Sequence, residues 1–239
     1  MSRSENIVQT RKASRHFKVI PIRKAVIDDF RRPYANEFAL TLQPQKLAEP
    51  YAIREPSLIF VNSMSDLFHA DVPFAYIDLV MAVIADTPQH TYQVLTKRAE
   101  RMAEYFACRD VPDNAWIGVS VEDKKYGVPR IDVLRAVNAK VRWLSIEPLL
   151  EDLGELDLCD IHWVVAGGES GHGARAMHPA WVNRVLRNCQ AQNVPFHFKQ
   201  WGQWGADGVK RSGKSANGRL LDGREWNEWP VGYTPPVAK

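Results

Sequence analysis

The sequence predicts an α/β fold, a partial (β/α) TIM-like barrel of about six to seven parallel strands followed by a C-terminal loop and hairpin tail. Three observations predict it. Short runs rich in Val, Ile, Phe, Trp and Tyr recur from residue 57 onward, each ending in polar residues. A helical pattern or a loop separates each run from the next, which calls for parallel strands with right-handed crossovers. The runs are apolar on both faces, as parallel strands are when both sides are covered. No GxGxxG follows any run, so an open dinucleotide-binding sheet has little support.

The elements follow in order. Residues 1–32 read as a basic, poorly ordered leader, residues 33–204 as the barrel domain and residues 205–239 as a flexible loop with a hairpin tail. FKVIPI (17–22) and EFALTL (37–42) are candidate extra strands. SLIFVNS (57–63) is the first clear strand. In the helix expected over 73–86, Phe74, Ile77, Val80, Met81 and Ile84 share one face, with Asp71 as N-cap and Pro73 in the first turn. TYQVLTK (91–97) precedes a helix over 98–108 with Met102, Tyr105 and Phe106 apolar. AWIGVSV (115–121) precedes a shorter helix over 129–138, and VRWLSIE (141–147) follows it. The link from Pro148 to Cys159 gives the weakest helical signal. HWVVAGG (162–168) leads to the clearest helix, where Trp181, Val182, Val185, Leu186 and Cys189 form a stripe behind Pro179 and a cap-region His178. PFHFKQW (195–201) is the sixth run. GADGVKRSGKSANG (205–218) is a mobile loop, RLLDGREW (219–226) a hairpin on Asp222–Gly223, and the last residues fray.

Composition bounds the function. With 239 residues, 45% apolar and 25% charged, the chain is long enough for one large domain with a real core. No apolar run approaches the roughly 20 residues of a membrane span, and no secretory signal is present, so no membrane partner is expected and the cytoplasm is the default location. The net charge of +3 is unevenly spread: residues 1–32 hold nine Lys/Arg against three Asp/Glu, +6, which leaves −3 elsewhere. Such an arm suits a solvated leader first and a phosphate contact second. The 3 cysteines, Cys108, Cys159 and Cys189, show no CxxC spacing and fit free thiols. His69, His172, His178 and His197 show neither HxH nor HExxH spacing, so no metal site is read from them.

The strand ends carry the candidate site. In a parallel barrel the C-terminal ends converge and hold the chemistry. Read in order, they give Ser65 and Asp66; Thr96, Lys97 and Arg98; Ser120 and Glu122; Ser145 and Glu147; Gly168, Glu169 and Ser170; then Lys199 and Gln200. Alternate residues of a strand share a face, so each Ser-x-Glu pair points one way. Small Ser and Gly leave room at a mouth that charged groups rim. Glu122, Glu147 and Glu169 suit three roles: holding a metal, binding an amine, or pairing with Lys97 and Lys199. The catalytic residues are not identifiable from these alternatives.

IFVNSMSDLFHADVP, QHTYQVLTKRAERM, WIGVSVED, RWLSIEPLLE, WVVAGGESGHGARAMHP and PFHFKQWG resemble the phage gene-product 37/68 family, a radical-SAM-like group of poorly defined function. The resemblance runs from about Arg32 to about Pro230 and includes GRLLDGREWNEWP. It implies S-adenosylmethionine as cofactor and a [4Fe–4S] cluster on three N-terminal thiolates ending in Cys-x-x-Cys-Tyr-Ala. It also implies a modified substrate of the nucleic acid or nucleoside class. This chain has no cysteine before Cys108, so the cluster is not expected here. A replaced, truncated or frameshifted start would explain the difference, with the first barrel strand lost or substituted. Two further readings stand beside the radical-SAM-like one: a non-catalytic barrel that binds a ligand or nucleic acid, and a carboxylate–metal enzyme.

Overall fold

Six parallel strands in the order β1-β2-β3-β4-β5-β6 form one sheet, curled into a half-barrel with a helix between each successive pair except β4 and β5. The computed structural model describes residues 40–62, 65–213 and 216–235. The strands are β1 (Leu58–Val61), β2 (Thr91–Thr96), β3 (Ala115–Ser120), β4 (Val141–Ile146), β5 (Trp163–Gly167) and β6 (Phe196–Gln200). The helices are α1 (Glu49–Ala52), α2 (Phe74–Asp86), α3 (Ala99–Phe106), α4 (Arg130–Arg135) and α5 (Pro179–Ala191). Every predicted strand from residue 57 onward is present within a residue or two, and each neighbouring pair is parallel. The basic leader and FKVIPI lie outside the described residues, as do residues 37–39 of EFALTL; residues 40–42 form no strand.

Both faces of the sheet are covered. Every residue of β3 and of β5 is buried, which accounts for their unbroken apolar runs. One set of alternate residues includes Ile117, Val119, Leu144, Ile146, Val164 and Ala166, all fully buried. The opposite set is a layer of large rings. Trp116, Trp143, Trp163 and Val165 pack together, and Trp229 and Tyr233 of the C-terminal segment close over them. Trp229 stacks on Trp163 with ring centroids 5.1 Å apart, and Tyr233 meets Trp116 edge-on at 4.5 Å. Trp163 Nε1–H donates to Glu228 O at 2.8 Å. Room for this layer depends on Gly118, where a Cβ would fall 2.5 Å from the Trp143 indole.

The C-terminal stretch does more than form a hairpin. The Leu221–Arg224 turn is as expected, with Asp222 and Gly223 both at positive φ and paired backbone bonds across them. Beyond it the chain runs antiparallel beside β6: His197 bridges Asn227, and Phe198 N–H donates to Trp226 O at 2.9 Å. This covers the β6 edge, which a parallel sheet would otherwise leave open.

Two local expectations are corrected. The α2 N-cap is Pro73, in extended backbone and with no side-chain cap; Asp71 is too far upstream for its carboxylate to reach the first turn, and its N–H donates to His69 Nδ1 instead. Residues 148–162 form no helix. At α5 the expectation holds: His178 is the N-cap, its Nδ1 accepting from Ala180 N–H at 3.1 Å.

Candidate functional site

Because all six strands run the same way, their C-terminal ends share one edge, and the sequence-predicted residues are found there. Asp66 is the anchor of the first three ends. It accepts Thr96 Oγ1–H at 2.7 Å, the backbone N–H of Lys97 at 3.1 Å, Arg98 Nη1–H at 3.0 Å and Phe68 N–H at 2.9 Å. This ties the turn after β1 to the end of β2. Its accepting positions are taken, so Asp66 is a positioning group rather than a free acid or base. Ser65 sits exposed in that turn, its N–H donating to Asn62 O.

Lys97 reaches across to Glu122, two residues past the end of β3. Ser120 and Ser145 are register partners in β3 and β4, both buried. Glu122 and Glu147 therefore follow them on neighbouring strand ends. Glu147 accepts Lys199 Nζ at 2.9 Å and, more loosely, Gln200 Nε2 at 3.4 Å; Gln200 also donates to Ser170 Oγ at 3.0 Å. A Cβ on Gly167 would lie 3.4 Å from Glu147 Cδ, so the carboxylate rests on bare backbone. Gly168 has no room at all: a Cβ there would fall 1.9 Å from Trp201 O. The β5–β6 register shifts at this point, and Gly168 N–H donates to Gln200 O at 2.9 Å.

Glu169 is claimed by Arg175. The guanidinium grips both carboxylate oxygens at 2.8 Å, and Arg175 N–H adds a third bond. These bonds hold the carboxyl far below its ordinary value, at about 2. Arg175 also feels the charge of Glu122. Sequence reasoning missed Arg175, because only the fold of the Gly-rich loop after β5 brings it back to Glu169. His197, set aside as a metal ligand in the sequence, contacts Trp163 and Trp229 on the ring layer. Burial first, then Arg219 and Lys199, lower the His197 pKa to about 4, so its imidazole is neutral at pH 7.

Of the three roles open to the carboxylates, the geometry displays pairing with Lys and Arg. Among the described residues no group of three or more His, Cys, Asp or Glu is placed to hold a metal. The cysteines do not fit a cluster either. Cys108 is exposed beyond α3, Cys159 is exposed in the connector before β5, and Cys189 is buried in α5 with its thiol pushed up to about 12 by burial. Three thiolates on separate elements do not make the converging set that an iron–sulfur cluster requires.

A cavity of about 460 Å³ lies at the opposite edge of the sheet, where His90, Asn114, Trp116, Lys140 and Tyr233 line it. None of the predicted site residues borders it. No helix among the described residues is long and apolar enough to cross a membrane.

The chain belongs to the family described as Protein of unknown function (DUF5131), whose family model matches residues 9–230. The match takes in most of the basic stretch as well as the whole half-barrel. No curated protein and no solved structure matches the chain.

Proposed function

We propose that this chain is a cytoplasmic, phage-type radical-SAM-like barrel protein that binds a small zwitterionic ligand at the C-terminal mouth and does not build a cluster from its own cysteines. The observation that carries the reading is the Glu147–Lys199–Gln200–Ser170 group beside the bare backbone of Gly167. A carboxylate and an ammonium paired across two strand ends can exchange partners with a ligand that brings both charges. S-adenosylmethionine, which the resemblance implies, has such an amine and carboxylate. The substrate class that goes with this reading is a nucleic acid or nucleoside. The scattered cysteines favour a second reading for the chain acting alone, that of a non-catalytic binding barrel.

Calorimetry of the full chain with S-adenosylmethionine tests the ligand. One molecule should bind per chain, and Glu147→Gln should weaken binding roughly tenfold, the loss of one charge-assisted contact. No heat, or equal affinity in the variant, removes the ligand reading. Reconstitution with iron and sulfide under anaerobic conditions tests the cluster. The chain should stay colourless, and a stable brown form that cleaves the cofactor would overturn that part.

A further inference from the structure

The ion pairs at the mouth are built the opposite way round from most of those elsewhere in the protein. In the Lys97–Glu122, Arg98–Asp66, Arg175–Glu169 and Lys199–Glu147 pairs the acid is 14–25% exposed and the base 39–61%. On the rest of the surface the acid is usually the outer partner: Asp132 and Asp157 are 80% and 69% exposed around Arg135 at 20%, and Asp160 64% against Arg142 at 13%. The carboxylates of the mouth lie underneath and hold four cations outward. Lys97 Nζ and Lys199 Nζ each spend one of three donors on their acid, so donors remain for an incoming anion. Cations set outside their acids along the strand ends present the positive side of each pair to an approaching polyanion.

We infer that a single-stranded nucleic acid lies across the mouth, its phosphates held by Lys97, Arg98, Arg175 and Lys199 and one base stacked on Tyr126. The span sets the size of the ligand. From β2 to β6 are four strand spacings, about 19 Å along the arc. That is wider than a single phosphate, so the cations meet a chain of them. Tyr126 sets the class. It stands 61% exposed in the turn after β3, with Lys125 Nζ 4.8 Å from its ring centroid. An exposed ring beside cations is a stacking platform for an unpaired base. The inference deepens the nucleic-acid side of the reading above and is tested apart from its ligand.

The test is fluorescence anisotropy of the full chain with a labelled single strand of about 20 nucleotides, longer than typical sites, as DNA and as RNA. The matching duplex and polyglutamate serve as competitors. Arg175→Ala and Lys97→Ala should each lower the slope of log affinity against log salt by about 0.7. Tyr126→Ala should weaken single-strand binding roughly five- to hundredfold while duplex binding and calorimetry with S-adenosylmethionine stay unchanged. Circular dichroism checks that each variant is folded. Absence of binding overturns the inference, as does binding that all three variants retain, which would belong to the basic residues near the N-terminus. Polyglutamate competing as well as the oligonucleotide overturns it too. Loss of S-adenosylmethionine binding alone fails the ligand reading and leaves this one standing.

Discussion

Replacing Gly168 with Ala should damage the protein far more than the same change one residue earlier. Neither glycine is at positive φ, so the comparison isolates space from backbone conformation. At Gly167 the nearest atoms to a new Cβ are Gln200 O and the Glu147 side chain, all at 3.4 Å. That is ordinary contact, and the loss of unfolded-state freedom offsets what strain there is by about 0.4–1 kcal/mol. At Gly168 the Cβ would fall 1.9 Å from Trp201 O and 2.8 Å from its carbonyl carbon. Both atoms are backbone, so no rotamer change relieves the clash. The end of β6 must move outward by more than 1 Å, by the difference from ordinary contact at about 3.4 Å. The bond from Gly168 N–H to Gln200 O lies in the path of that movement. Overpacking costs about 1–3 kcal/mol and a lost buried backbone bond about 1 kcal/mol more, so Gly168→Ala should cost about 3 kcal/mol. With a urea slope of about 1–3 kcal/mol/M, the midpoint falls by roughly 1–3 M. The 8 tryptophans make fluorescence the readout. A Gly168→Ala midpoint within about 0.3 M of wild type, or equal losses for the two variants, would refute the reasoning.

Two further outcomes follow from the same geometry. A thiol reagent added to the native chain should label Cys108 and Cys159 and spare Cys189, whose thiol is buried and pushed up to about 12; mass spectrometry that finds native Cys189 labelled as fast as the others contradicts its placement in α5. His197 should make stability pH-dependent. Its pKa is lowered from 6.5 to about 4 in the folded chain, so as pH falls through that window the unfolded state takes up the proton first and stability declines. Full burial would give about 3 kcal/mol, and partial exposure reduces this to about 1–2 kcal/mol. His162, also lowered by burial, contributes with the same sign, so the measurement is the difference between wild type and His197→Gln. Equal urea midpoint losses between pH 7 and pH 5 in the two would sink the claim.

The strands were legible because a parallel strand buried on both faces writes itself as an apolar run, and its end as a change to polar residues. The helix cap at His178 and the turn at Asp222–Gly223 were legible because each depends on a few adjacent residues. The ring layer left a trace that is clear only in hindsight. Trp116, Gly118, Ser120 and Glu122 alternate on one face, as do Trp143, Ser145 and Glu147, so the rings stand beneath the charged ends by strand periodicity alone. What covers the rings was not legible, since Trp229 meets Trp163 across 66 residues of sequence. The partner of Glu169 was hidden for the same reason: Arg175 returns to it through a loop that includes Gly171 at φ 112.

The direction of the ion pairs also decides what kind of chemistry the mouth supports. A group that moves protons near pH 7 needs a pKa near that value, usually from a carboxyl that is buried and unpaired. Here Asp66 is filled by hydrogen bonds, Glu122 and Glu147 each meet a lysine, and Glu169 is held at about 2 by Arg175. At neutral pH Glu169 is a permanent anion with no proton to give. Each of these acids is placed to hold a cation in position. Fixed cations lose less freedom when an anion arrives than mobile ones would, so an acid that positions its base should strengthen anion binding through that base. Removing one of those acids should therefore loosen the base above it and weaken anion binding, even though the variant gains a net positive charge. A simple charge count predicts the opposite sign. Glu122→Gln, measured with the same labelled single strand, separates the two: weaker binding means that positioning outweighs net charge at this mouth, and tighter binding means that it does not.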